Sequence, residues 1–143
     1  MAVTAVLSNH FKFQQNSGLI DFDADTFLVI LMDTAFAFDK DAHATLALVT
    51  ANQIAAGNGY TQDDETLAGV AVDEDDTNDR SNVTWDDVSF TASGGAFPAI
   101  GSACVIDGTT SDDTVVGCID FGADYTVADG LSFLLKDIIF RLA

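Results

Sequence analysis

Carboxylates are the residues of this chain with the strongest claim to chemistry. Five Lys and Arg face 23 Asp and Glu, a formal net charge of −18, and all but two of the acids are Asp. Two acidic stretches stand out. Asp21, Asp23 and Asp25 alternate along Ile20-Asp21-Phe22-Asp23-Ala24-Asp25, and Asp at alternate positions is how a calcium loop begins. The Gly at the bend and the closing Glu of that pattern are missing, so the stretch reads as an acidic turn. Asp73 to Asp79 is the densest run. It offers oxygen ligands for calcium, but like charges repel and stay hydrated, and a solvated turn between two strands is the expectation.

The other reactive side chains are isolated. His10 and His43 have no nucleophile beside them and no second ligand, so packing, capping or surface roles are expected. Cys104 and Cys118 match no zinc spacing. Trp85 is the single Trp, a core or interface anchor more often than a binding platform. There is no Gly-rich phosphate loop and no Ser-His-Asp constellation. A glycosidase needs two carboxyls at a fixed separation in a cleft, which a sequence this acidic cannot single out. No catalytic residue, cofactor or metal is assigned, and an enzyme is not expected.

Composition sets the frame for these residues. At 143 residues the chain fits one domain with a real core. Hydrophobic residues make up 48%, with eleven Phe, which is incompatible with global disorder. One Pro and eleven Gly fit strands joined by tight turns. Asp is a poor strand and helix former and a good turn former, so the acid belongs in loops and on wet faces. Its field repels nucleic acid and anionic membranes. It keeps the protein soluble, suits a salty medium, or helps the protein settle on a basic partner. The longest apolar run stops at Asp33, short of the roughly 20 residues of a membrane-spanning helix. Met1 to Phe13 has no basic leader and no long apolar core, so a secretory signal is not expected.

The elements follow from periodicity. Residues 2 to 17 have Val3, Val6, Leu7 and His10 or Phe11 at helical spacing with Gly18 as a cap. This predicts a short N-terminal helix, with a mobile arm as the competing reading, over residues 1–18. Gly18 to Asp33 is the stretch the rest should pack against. Phe27 to Met32 is apolar at every position, which predicts a central strand covered on both faces. Ala44 to Val49, and then Asn52 to Ala55, are helical turns in a long connection that ends at the turn Ala56-Gly57-Asn58-Gly59-Tyr60. Thr66 to Val72 reads as the next strand. Ser81 to Thr91 alternates, but its phase shifts across Asp86-Asp87, as a bulge or a break into two strands would produce.

Ala103 to Ile106 and Thr114 to Ile119 form the clearest hairpin. A loop centred near Ser111 sets Cys104 opposite Cys118, where reduced buried thiols are expected rather than a disulfide. Asp129-Gly130 is a hairpin signal. Leu131 to Leu142 fits a helical stripe as well as a strand. The β-branched Ile pair and the β-rich context favour a strand, either central or with one face against another subunit. The fold class is mainly β: an antiparallel β-sandwich or small barrel over residues 19–143, with a short N-terminal helix and a partly helical connection.

Read in this order, the chain resembles a family of small virion structural proteins of tailed bacteriophages, encoded beside the capsid genes. The likeness is carried by Leu19 to Met32, Gly57-Asn58-Gly59-Tyr60-Thr61, Thr66-Leu67-Ala68-Gly69-Val70, Val83 to Ala92 and Ile119 to Asp124. Each fragment is a strand-turn piece; the specificity lies in their order and spacing, which cover nearly the whole chain. The family has no catalytic residues to carry over. The resemblance implies a capsid decoration, or cement, protein on the outside of the head shell, assembled in the host cytoplasm. Its implied partners are the major capsid protein and itself, as a homo-oligomer with a trimer favoured; nucleic acid and membrane are not among them. A tail, neck or fibre-base component is one alternative. A carbohydrate-binding module using Trp85, Tyr60 or Tyr125 is another. Candidate oligomer or capsid contacts are Val3, Leu7, Phe11, Trp85, Phe133 and Phe140.

Overall fold

Val105 and Ile106 lie side by side on one strand and are both fully buried, so the sheet that contains them is covered on both faces. The computed structural model describes residues 3–143. Its principal sheet has the order β1-β7-β6-β2, antiparallel throughout. These strands are β1 (Thr4–Leu7), β2 (Phe27–Asp33), β6 (Ile100–Asp107) and β7 (Thr114–Tyr125). Side chains alternate across it as strand geometry requires. Val29, Leu31, Ala103, Val105 and Ile119 face the larger core. Ile30, Met32, Cys104, Ile106, Val115 and Cys118 face a smaller one.

Each face has its own cover. The larger core is closed by a ribbon of β4 (Arg80–Trp85) and β5 (Val88–Thr91) against β8 (Ser132–Leu135) and β9 (Ile138–Leu142). β3 (Ala71–Asp75) adds to the outer edge of β4. The smaller core is closed by the connection after β2, through Phe36, Phe38, Leu46 and Val49. The latter two lie on α2 (Leu46–Val49), which a 3-10 turn, Thr50–Asn52, follows. The architecture is mainly β and sandwich-like, as the composition and turn signals predict.

The ribbon is broken on both sides at one level. Trp85 pairs with Ile138 and Val88 with Leu135, so Asp86-Asp87 and Lys136-Asp137 face each other unpaired while the register counts straight through. Asp137 takes a left-handed φ of 52°, and its N–H donates to Asp87 Oδ1 at 3.3 Å. The phase shift at Asp86-Asp87 predicts the first break. The matching break makes the final segment two short strands, β8 and β9, each at a sheet edge rather than central.

Several expectations need correction. The N-terminal segment is not one helix over the described part of residues 2–17; Ala2 lies outside the described residues. Thr4 to Leu7 pairs with Gly117 to Asp120 as an edge strand, and the helix α1 is confined to Asn9–Asn16. Ser8 separates the two because its hydroxyl accepts from the N–H groups of His10 and Phe11, a helix N-cap. Of the strand expected over residues 66–72, only Ala71 and Val72 are in one. Only Thr66 bridges to Leu28, and β3 starts at Ala71 and runs into the acidic stretch as far as Asp75. Asp129-Gly130 does not join neighbouring strands of a hairpin. It turns the chain toward β8, which pairs with β5 instead of β7.

β2 is buried on both faces but is an edge strand, not a central one. Its outer edge is satisfied piecemeal by the segment that returns after the 3-10 turn. Phe27 accepts from Leu67 N–H, Val29 donates to Glu65, and Leu31 accepts from Ile54 N–H. Leu31 N–H donates to Tyr60 Oη at 3.0 Å, and Gln53 Nε2 donates to the same oxygen at 2.9 Å. An open edge this apolar would invite another chain; these bonds occupy most of it. Burial holds the Tyr60 phenol above its ordinary pKa, outweighing the two hydrogen bonds it accepts.

A bulge fits the ribbon onto the sheet. Val105 opposes Gly117 while Ile106 opposes Val115, so Val116 is an extra residue. Val116 and Gly117 then both face the larger core. A Cβ on Gly117 would lie 2.4 Å from the Val6 carbonyl oxygen and 2.6 Å from the Phe140 ring. Only Gly lets Phe140 lie there.

Two outcomes follow. Gly117→Ala should cost roughly 2 to 3 kcal/mol in urea denaturation, because backbone and a fully buried ring must both shift. Tyr60→Phe should cost about 1 to 3 kcal/mol by leaving Leu31 N–H without a partner. A raised phenol pKa makes stability full below the unfolded value of about 10 and lost as pH climbs past it. Alkaline melts should show that loss in the wild type and a smaller one in the variant.

Candidate functional site

The acidic stretches do not converge. Among the described residues, no group of three or more His, Cys, Asp or Glu is placed to hold a metal ion. Asp21 caps its own turn: Oδ1 accepts from the N–H groups of Asp23 and Ala24 at 3.0 and 3.3 Å. Asp75 accepts from Arg80 Nε at 2.8 Å. Hydrogen bonds from Asn78, and then the Arg80 contact, hold the Asp75 carboxyl below its ordinary range.

The histidines serve the fold. His10 Nε2 lies 2.8 Å from Asp112 Oδ2, joining α1 to the loop between β6 and β7. Burial would raise the Asp112 carboxyl, but hydrogen bonds from Thr114 and His10 outweigh it and hold it low. His43 Nδ1 accepts from Asp39 N–H at 3.0 Å and its ring stacks on Phe36. Cys104 and Cys118 are directly opposite across β6 and β7, buried and free. Burial, then the neighbouring thiol, pushes the Cys104 thiol well above its ordinary pKa, so it is a packing group rather than a nucleophile.

What the surface does present is apolar. A cleft of about 220 Å³ opens where the start of β1, the end of β7 and the strand β8 meet. Ile119 and Leu135 line its buried side, and Phe121, Tyr125 and Phe133 form a cluster with ring centroids 5.4 to 6.0 Å apart. Val3, Tyr125 and Leu134 are 65%, 44% and 50% exposed at its rim, and Lys136 is its one cation. Large apolar side chains gathered on one surface mark an interaction site, whereas scattered ones do not. The cleft has no acid, base or nucleophile other than Lys136 and Tyr125. It can bind an apolar surface through stacking and burial.

Of the six candidate contacts, Val3 and Phe133 meet in this cleft. The other four are corrected. Leu7, Phe11, Trp85 and Phe140 are buried in the larger core. Trp85 packs against Phe22, Phe27 and Phe140, which leaves it no face for a partner. Tyr60 is buried as well, so two of the three proposed sugar-stacking rings cannot reach a glycan. Tyr125, Phe121 and Leu134 are absent from the sequence-derived contacts. Residues 120–125 look like a turn because Asp and Gly punctuate them, yet they continue β7. The alternation of Phe133 and Leu134 across the two sides of β8 was the available signal.

The fold is sandwich-like and mainly β, with an apolar aromatic cleft open to solvent. Compared with protein-family models, curated proteins and solved structures, the chain finds no match in any of the three.

Leu134→Asp should leave monomer stability within about 0.5 kcal/mol, because this side chain is half exposed. It should reduce binding of a hydrophobic naphthalene dye by the native protein. A large loss of stability would show that Leu134 belongs to the core instead.

Proposed function

We propose that this chain is a structural protein of a tailed-bacteriophage virion, a decoration protein that clamps the outside of the head shell. The observation that carries this reading is the cleft of Tyr125, Phe133, Leu134 and Val3, apolar on a molecule of net charge −18. Aromatic and aliphatic anchors in a partly formed pocket are where binding energy concentrates. The acidic remainder keeps the particle surface soluble and repels nucleic acid and anionic membrane. The resemblance described above supplies the virion context. The partners are the major capsid protein and further copies of the chain. A trimer is favoured, since shell lattices offer threefold positions and closed rings bury apolar patches. Its work is binding, with no turnover, and its place is the capsid exterior after assembly in the host cytoplasm.

The test mixes purified protein with expanded, undecorated heads. Binding in hundreds of copies per head is expected, with Tyr125→Ala and Leu134→Asp each weakening it at least tenfold, about 1.4 kcal/mol. A few copies, found only on tailed particles, would assign the chain to the tail or neck. A monomer with no affinity for heads would remove the reading.

A further inference from the structure

Cys104 on β6 and Cys118 on β7 are the two cysteines of the chain, and the fold sets them opposite one another. They are direct partners in the antiparallel register of the principal sheet. Their side chains enter the smaller core together, among Ile30, Met32, Ile106 and Val115. Both are free, with 0% and 2% exposure. Directly opposed residues of an antiparallel pair have Cα atoms about 4.5 to 5.5 Å apart. A disulfide spans Cα separations of roughly 4.4 to 6.8 Å. The two strands already stand at the separation the bond requires.

The way in is through the cover of the smaller core. That cover is the irregular connection after β2, which carries Phe36, Phe38, Leu46 and Val49. Leu46 N–H donates to the Asp113 carbonyl and Val115 N–H to the Ala44 carbonyl, each at 2.9 Å, and these bonds tie it to the sheet. A loop cover opens locally at lower cost than the whole fold. Its opening admits a small oxidant and leaves β6 and β7 in register. The two sulfurs then meet each other before either meets a second molecule. No other Cys is present to compete.

We propose that Cys104 and Cys118 are a redox latch: two thiols in a reducing compartment, and a cross-strand disulfide that staples the β6 and β7 hairpin once the chain meets a peroxide-class oxidant. Peroxide oxidises the Cys118 thiol to a sulfenic acid and is itself reduced to water. The Cys104 sulfur then attacks the Cys118 sulfur. The sulfenic oxygen leaves as hydroxide, takes the Cys104 proton and departs as a second water. Burial holds Cys104 in its thiol form, and thiols react far more slowly than thiolates. The latch therefore sets slowly and stays open during synthesis. The virion reading gives it an occasion, since a released particle leaves the reducing host cytoplasm. The latch does not rest on that reading and is tested on the isolated chain.

The test incubates the reduced protein with hydrogen peroxide well below its melting temperature. It follows intact mass, thiol count after denaturation, and thermal melts with and without dithiothreitol. A mass loss of two hydrogens, no remaining thiol and no covalent dimer are expected. The oxidised protein should melt roughly 5 to 10 °C higher, because the bond closes a loop of about 15 residues in the unfolded chain. Dithiothreitol should abolish that rise, and Cys118→Ala should show none. Two thiols surviving in the native protein would overturn the latch. So would a mass gain of sulfinic or sulfonic oxygens in place of the bond, or a melt lowered by oxidation. The comparison of wild type with and without dithiothreitol decides the matter even where the variant does not fold.

Discussion

A sheet that is apolar on both faces has to be covered twice, and the rest of this structure answers to that requirement. Phe27 to Met32 sends alternate side chains into two separate cores, and β6 does the same. One cover is the bent ribbon, whose approach is set by Phe140 lying over Gly117. The other is a single irregular connection with one short helix. The covers differ because the faces do. The larger core holds aromatic rings packed edge to face around Trp85, which need a wide, shaped partner. The smaller core holds Ile, Val, Met and two Cys, and a loop with two Phe suffices.

The same requirement explains where the chain could be read from its residues. The unbroken apolar run of β2, the β6 and β7 hairpin and the apposition of Cys104 with Cys118 were all legible, because each depends on local alternation. The edge position of β2 was not. Two buried faces look identical whether the lateral neighbour is a strand or a set of isolated bonds from Ile54, Tyr60 and Glu65. The N-terminal segment misled for a related reason. Val3, Val6 and Leu7 fit a helical stripe, but an empty edge on β7 takes Thr4 to Leu7 as a strand, and a tertiary edge outranks a weak local preference.

The candidate surface was half legible. Val3 and Phe133 were visible as apolar residues near the ends of the chain, while Leu7, Phe11, Trp85 and Phe140 looked equivalent to them and are interior. Sequence identifies which residues are apolar. Which of them the fold leaves outside depends on sheet order and on the bulge at Val116, and neither has a signature in composition. Tyr125 was hidden by the Asp and Gly around it, since turn-forming residues also occur where a long strand loses its partner, as β7 does between Asp120 and Tyr125.

The matched interruption of the ribbon constrains how this protein can vary. Two residues leave the pairing on each strand at the same level, and the register beyond them is unchanged. Adding one residue to Asp86-Asp87 alone would turn Val88 and Phe90 outward and Ser89 and Thr91 inward. A relative that lengthens one side should therefore lengthen the other by the same amount. The acidic turn after β3 is under no such obligation and can grow or shrink freely.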